Sequence, residues 1–162
     1  MNRHGGVTMI VDYMVRHHLD EVLEVEKAAW TFKDPDFGEY VHPFAWTEKV
    51  FTSEVRRKNT VFFVVSEGDY ISGFACISKD KKKNLNTIER LVVRPLCRRH
   101  SLGTGLLTNI LSMSTATSYQ AHVREHDDSS IAFYSSLGWS AKLDADLYGP
   151  GLDGIIFERP ST

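Results

Sequence analysis

Apolar and polar residues along this chain switch between helical and alternating periods, and the switches mark the elements. Residues 9–15 are apolar and β-branched enough to predict a first strand. Leu19, Val22, Leu23 and Val25 fall near helical spacing and Ala28 and Ala29 extend that face, which predicts a first helix ending near Trp30. Residues 31–42 contain Asp-Pro-Asp-Phe-Gly and read as an irregular loop. Thr47 is placed to cap a second helix running to about Arg57. Residues 61–65 have the continuous apolar pattern of a buried strand. Glu67-Gly68-Asp69 then turns the chain into a strand over 70–78, and a polar connection over 79–86 leads to another over 87–93. A third helix is predicted over 103–113. Tyr119, Ala121 and Val123 alternate with Gln120, His122 and Arg124, the signature of a half-buried strand. Residues 129–137 read as a short helix with Asp128 as its cap and Gly138 at its left-handed end. Strands over 139–148 and 154–158 close the order βααβββαβαββ, a mixed α/β chain and not a regular βαβ array.

The 162 residues contain no repeat and no linker, so a single domain over 9–162 is expected after a flexible tail, 1–8. A hydrophobic content of 42% suits a globular core, and a net charge of -2 argues against nucleic acid as a partner. No apolar run reaches the ~20 residues of a membrane helix, and the start has no signal-peptide core, so no membrane partner is expected. Cys76 and Cys97 make no disulfide framework, which points to a reducing cytoplasm. No metal is expected. A monomer or a homodimer both fit.

The most specific stretch is Arg98-Arg99-His100-Ser101-Leu102-Gly103-Thr104-Gly105, between the strand ending at Val93 and the third helix. A glycine-containing turn from strand to helix aims backbone N–H groups at one point, and the helix dipole favours negative charge there. Two arginines add forked donors. The stretch reads as the diphosphate cradle of a coenzyme.

The element order and these motifs resemble the GNAT superfamily of acyl-CoA-dependent N-acetyltransferases. Its phosphate loop, Gln/Arg-x-x-Gly-x-Gly/Ala, falls on Arg98 to Gly103, with Ser101 in place of the first glycine. The run from His122 to Trp139 is similar to the second CoA-contacting motif, closest to the branch that acetylates the N-terminal amine of ribosomal proteins. Val123-Arg124, Tyr134 and Leu137-Gly138 match that branch, and Asp127 stands where it has Asn. Phe44 to Phe51 is similar to its Pro-Trp-Ser-x-x-x-Phe at the second helix. Residues 31–42 look like an insertion relative to it. The resemblance implies a central mixed, mostly antiparallel sheet of about seven strands with four helices. It implies acetyl-CoA bound between splayed strands near Val93 and Val123, and direct attack by an amine without an acyl-enzyme.

Such a reaction needs a fixed thioester, a neutral amine and a proton for the leaving thiolate. The resemblance places Tyr134 beside the sulfur as general acid; the plain alternative is a core aromatic with Ile131 and Leu137. His122 stands where the ribosomal branch has a glutamate base, and neutral imidazole can accept a proton. Glu89, pointing with Leu91 and Val93 by strand alternation, is the rival base; a surface ion pair is its alternative. Leu91, Val92 and Val93 would bind the pantetheine arm through their main chain. Arg98, Arg99, His100, Ser101, Leu102, Gly103, Thr104, Gly105 and Asp127 complete the coenzyme contacts. The basic run 79–83 reads as a solvated hairpin tip, with the CoA 3′-phosphate as its sharper option. Asp34, Asp36 and Glu39 with Phe37, Tyr40 and Trp46 form an acidic-aromatic rim suited to a cationic acceptor, and Tyr148 would line the same side. The acceptor is expected to be a protein or peptide N-terminus. A small amine (a polyamine, amino acid or aminoglycoside) is the rival, and a non-catalytic acyl-CoA-binding module is the alternative outside enzymes.

Overall fold

The computed structural model describes residues 2–4, 7–14, 16–36, 38–42, 45–95, 102–113, 116 and 118–160. The contacts gather in two compact units, one of Met1–Cys76 with Leu91–Ser114 and one of Ile77–Arg90 with Thr115–Thr162. Two of the boundaries fall within β6 and β7 as numbered below.

In the first unit, β1 (Asn2–His4) pairs antiparallel with β2 (Val7–Tyr13), so the segment expected as a flexible tail contributes a strand. Helix α1 (Leu19–Ala29) follows a 3-10 turn at Arg16–His18. Its first turn holds Asp20 and Glu21, which complement the helix dipole, and Val22, Val25 and Glu26 are buried. Helix α2 (Glu48–Arg56) starts as the sequence predicts, with the Thr47 hydroxyl accepting from the Val50 N–H at 3.4 Å. Strands β5 (Thr60–Glu67), β6 (Tyr70–Asp80) and β7 (Leu85–Val93) follow, in the order β1-β2-β5-β6-β7. Every residue of β6 from Ile71 to Ile77 is buried, as in a strand covered on both faces. Helix α3 (Leu102–Met113) buries Leu102, Gly105, Leu106, Leu107 and Ile110, positions spaced to put them on one face. The core joins Val22 and Val25 of α1, Phe51 of α2 and Phe62, Val64, Ile71, Phe74 and Val92 of the strands.

The segment predicted as a loop, 31–42, is a hairpin: β3 (Thr31–Asp34) pairs antiparallel with β4 (Gly38–Val41). Its turn signal lies in the middle of the segment, and the residues flanking it alternate Thr-Phe-Lys-Asp and Gly-Glu-Tyr-Val. Phe32 and Tyr40 are register partners with ring centroids 6.1 Å apart.

In the second unit the order is β6-β7-β8-β10-β9, with β8 (Ser118–Arg124), β9 (Ser140–Asp144) and β10 (Gly154–Glu158). β7 and β8 are parallel, paired from Leu85↔Ser118 to Ile88↔Ala121. β10 lies antiparallel to both β8 and β9. Helix α4 (Asp128–Ser136) is capped by Asp127, not by Asp128. The last strand before the closing hairpin stops at Asp144, because 145–153 folds into a loop with left-handed backbone at Asp146, Gly149 and Gly151. The expectation of a mixed α/β fold with a mixed, mostly antiparallel sheet and four helices holds among the described residues; β1 and the β3–β4 hairpin are additions to it.

Gly73 governs how closely β6 approaches the end of β7. A Cβ there would lie 2.6 Å from the Val92 carbonyl oxygen and 3.1 Å from a Val65 methyl. Gly73→Ala is expected to destabilise the protein by about 1–3 kcal/mol through overpacking, read as a lower midpoint in denaturant unfolding. An unchanged midpoint would show that β7 yields without cost.

Candidate active site

Strand β8 sorts its side chains by alternation. Tyr119, Ala121 and Val123 are buried, while Gln120, His122 and Arg124 line the partly accessible face. The parallel register sets Thr87 of β7 opposite Gln120, and Glu89 follows two residues on from Thr87 on the same side. His122 Nδ1 lies 3.6 Å from Glu89 Oε2, inside ion-pair range and beyond a hydrogen bond. The other Glu89 oxygen accepts from the Ser78 hydroxyl at 2.7 Å. Gln120 Nε2 donates to Thr87 Oγ1 at 2.9 Å and lies 3.2 Å from His122 Nε2. The two residues read from sequence as rival bases thus form one group, and each is held by a further polar side chain.

Tyr134 is 3% exposed on α4. Its ring packs against Trp139 and Phe157, with centroids 5.1 and 5.4 Å away. Burial, then the charge of Asp127 and the neighbouring Tyr148, push the phenol well above its ordinary value, so it stays protonated at neutral pH. Asp127 accepts from the Ser130 N–H at 3.2 Å and from the Ser130 hydroxyl at 2.7 Å. The structure therefore gives this residue, expected as a coenzyme contact, a helix-capping role.

Tyr148 sits on a loop tied by two carboxylates. Asp153 accepts from the Asp146 N–H at 2.9 Å, and Asp146 accepts from the Gly151 N–H at 2.7 Å. The Arg124 guanidinium lies over the Tyr148 ring, 3.8 Å from its centroid. Gly154, opposite Arg124 in the β8–β10 register, leaves room beneath: a Cβ there would lie 2.8 Å from Tyr148 Cε2 and 2.6 Å from a Leu147 methyl. Burial pushes the Tyr148 phenol up to about 12, with Arg124 and Arg90 pulling down and Glu89 and Asp127 pushing up. Burial also lowers Arg124; Tyr148 opposes that shift and Arg90 adds to it.

In the first unit, Val92 and Val93 are buried and Leu91 is partly buried, so their side chains pack. Arg94 fixes the strand's exit. Its N–H donates to Ser72 O and its Nε to Ile71 O, both at 2.8 Å, and its guanidinium lies 4.5 Å from the Tyr70 ring centroid. Of the phosphate-loop residues, Arg98, Arg99, His100 and Ser101 lie outside the described residues. Leu102 and Gly105 are buried, Gly103 is partly buried and Thr104 is exposed. The first turn of α3 has no acidic residue, which suits an anion at that end.

The expected rim divides. Tyr40 is exposed on β4, and Phe37 lies outside the described residues. Trp46 instead packs edge-on to Phe51 at 5.1 Å, and its backbone N–H donates to the buried Glu26 carboxylate at 2.7 Å. Gln120 and Arg124 were placed on the polar side of β8 by alternation, without a role; Ser78 and Gly154 were not singled out from sequence, though a glycine inside a strand pattern would have found Gly154.

The sequence matches the acetyltransferase (GNAT) family over residues 10–139. The chain belongs to the GNAT family of acetyltransferases. It is similar in fold to the ribosomal-protein-S18-alanine N-acetyltransferase of Escherichia coli, with 21% identity and a TM-score of 0.73 over 96% of each chain. It is also similar to the PaiA N-acetyltransferase of Thermoplasma acidophilum, solved in complex with coenzyme A, with 16% identity and a TM-score of 0.71 over 94% of this chain and 98% of that one. Nourseothricin acetyltransferase shares 18% identity, with a TM-score of 0.68 over 95% of this chain and 99% of that one. No curated protein matched. Among the described residues, no group of His, Cys, Asp and Glu could hold a metal ion, and no helix is long and apolar enough to cross a membrane.

The seat of Tyr148 in this GNAT domain has a measurable consequence. Its phenol is raised from 10.0 to about 12 on folding, so between those values the unfolded chain releases a proton that the folded one keeps. The stabilising contribution is complete below pH 10 and is lost as pH rises to about 12. Tyrosinate absorbance of the parent minus that of Tyr148→Phe is expected to titrate near 12. A midpoint at the ordinary 10.0 would contradict the buried seat.

Proposed function

We propose that this chain is an acetyl-CoA-dependent N-acetyltransferase whose acceptor is the N-terminal amine of a protein or peptide. The observation that carries the reading is the cluster in the second unit. His122 Nδ1 faces the Glu89 carboxylate at 3.6 Å, and the same unit holds a buried phenol, Tyr134, packed on Trp139 and Phe157. These are the parts that amine acetylation requires: a proton donor for the departing thiolate and a proton acceptor for the attacking amine.

In this reading the diphosphate of acetyl-CoA binds Arg98, Arg99 and the N–H groups of His100 to Gly105. The main chain of Leu91, Val92 and Val93 takes the pantetheine arm. His122, backed by Glu89, accepts a proton from the ammonium form of the acceptor, directly or through water. The freed amine nitrogen bonds to the thioester carbonyl carbon, the carbon–sulfur bond breaks, and the nitrogen releases its second proton to solvent. Tyr134 donates its phenolic proton to the sulfur and recovers a proton from solvent. No residue is acylated. Tyr148, protonated and held flat by Arg124, orients the acceptor with a hydroxyl.

The peptide acceptor is supported by Val123-Arg124, Tyr134 and Leu137-Gly138, the residues shared with the ribosomal branch. A small amine is the second reading. The β3–β4 hairpin favours it, since this is the segment that looks inserted relative to that branch, and it exposes Phe32 and Tyr40.

Thiol release from acetyl-CoA, measured against a panel of peptides and small amines, tests the reading and separates the two acceptors. Tyr134→Phe keeps the ring's packing on Trp139 and Phe157 and is expected to lower kcat by about 10²-fold with coenzyme affinity intact. An unchanged kcat removes Tyr134 from the acid role. Arg98→Ala with Arg99→Ala is expected to raise KM for acetyl-CoA by about tenfold or more, while the KM for the amine stays put. If no thiol is released with any amine, the chain is a binding module.

A further inference from the structure

Gln120 and His122 stand two residues apart on the accessible face of β8, and one atom of Gln120 serves two neighbours. Its amide nitrogen donates to Thr87 Oγ1 at 2.9 Å and lies 3.2 Å from His122 Nε2. An amide nitrogen has two N–H bonds and does not accept. With one N–H given to Thr87, the second meets the ring, and the contact is a hydrogen bond only when Nε2 is the acceptor. A neutral imidazole that accepts at Nε2 has its proton on Nδ1. Nδ1 is the nitrogen that faces Glu89 Oε2, and the other Glu89 oxygen is held by Ser78.

We propose that Gln120 is a positioning residue for proton transfer: its amide fixes the His122 proton on Nδ1, toward the Glu89 carboxylate, and keeps Nε2 as the basic nitrogen. The inference rests on the reading of His122 as the proton acceptor of the acetyl-transfer reaction and adds the residue that selects its tautomer. Nε2 has one lone pair, so the Gln120 N–H swings off it as the amine's proton arrives, directly or through water, and both ring nitrogens then bear hydrogen. A half-turn of the amide presents Oε1 to the new N–H, and the Thr87 hydroxyl turns from acceptor to donor. Glu89 balances the imidazolium charge. One proton moves from the amine nitrogen to Nε2, and no other bond changes. The charged residues on the neighbouring strands at this level are Glu89 and Arg90 on β7 and Glu158 on β10, the register partner of Gln120; Arg124 follows on β8 itself, and Ile156 lies opposite His122.

Nuclear magnetic resonance of the full chain labelled with ¹⁵N-histidine reads the tautomer directly, with His122 assigned by the signal missing from His122→Asn. The neutral ring is expected as Nδ1–H in the parent. Gln120→Met removes the donor at similar length and is expected to release Nε2–H into the population. Gln120→Glu offers only acceptors when ionised and is expected to drive the ring to Nε2–H. Both variants should lose at least about tenfold in kcat with KM for acetyl-CoA within a factor of about two. An Nε2–H ring in the parent, or a tautomer ratio that Gln120→Met leaves unchanged, overturns the proposal. So does a tautomer shift with kcat at the parent value. Failure of the acetyl-transfer reading shows separately, as a parent protein that releases no thiol before any substitution is made.

Discussion

The parallel pairing of β7 with β8 is the constraint on which the candidate site depends. Thr87 opposite Gln120 is one rung of that ladder, and the next rung, Ile88 with Ala121, is the last one paired. Beyond it, Glu89 and His122 stand on the same side of their strands with their side chains beside each other. The side-chain period of a strand is two, so a slip of one residue would turn Gln120, His122 and Arg124 inward and bring Tyr119, Ala121 and Val123 out. Three aromatic or aliphatic side chains would then face water and three polar ones would enter the core. Apolar burial on one face of β8 thus specifies the polar constellation on the other. The chemistry is positioned by packing with which it shares no atoms.

Much of the framework was legible because periodicity reports burial. α1 runs over the stretch where Leu19, Val22 and Val25 predict a helix, and α2 begins where Thr47 predicts it. β8 alternates as its sequence does. At residues 31–42 a strong turn signal hid the short strands on either side of it. Asp-Pro-Asp-Phe-Gly marks the turn of the β3–β4 hairpin, yet its arms are four residues each and all of β4 is exposed, so no run of buried residues announces them. Asp127 and Asp128 are both competent caps by type, and only the backbone shows which carboxylate reaches Ser130.

The candidate residues were named one by one, Tyr134 and His122 through the family resemblance and Glu89 and Tyr148 from type and place, while their arrangement was not legible. That His122 and Glu89 are partners required the β7–β8 register, a relation between segments 33 residues apart in the Thr87–Gln120 bond. Gln120 and Ser78 carry no signal by themselves, since single polar residues on strands are ordinary. Trp46 drew notice as an aromatic in a loop, while its neighbour in space, the buried Glu26, is what anchors that loop to α1. Long-range polar contacts of this kind depend on tertiary packing, and local sequence patterns do not encode them.

The two phenols near this group, Tyr134 and Tyr148, are locked. Burial holds Tyr134 and Tyr148 in their acid forms far above the range in which cells vary their acidity. On the proposed reading the proton donor therefore stays loaded across that whole range, and acidity would reach turnover through the accepting side, where the substrate amine must shed its charge.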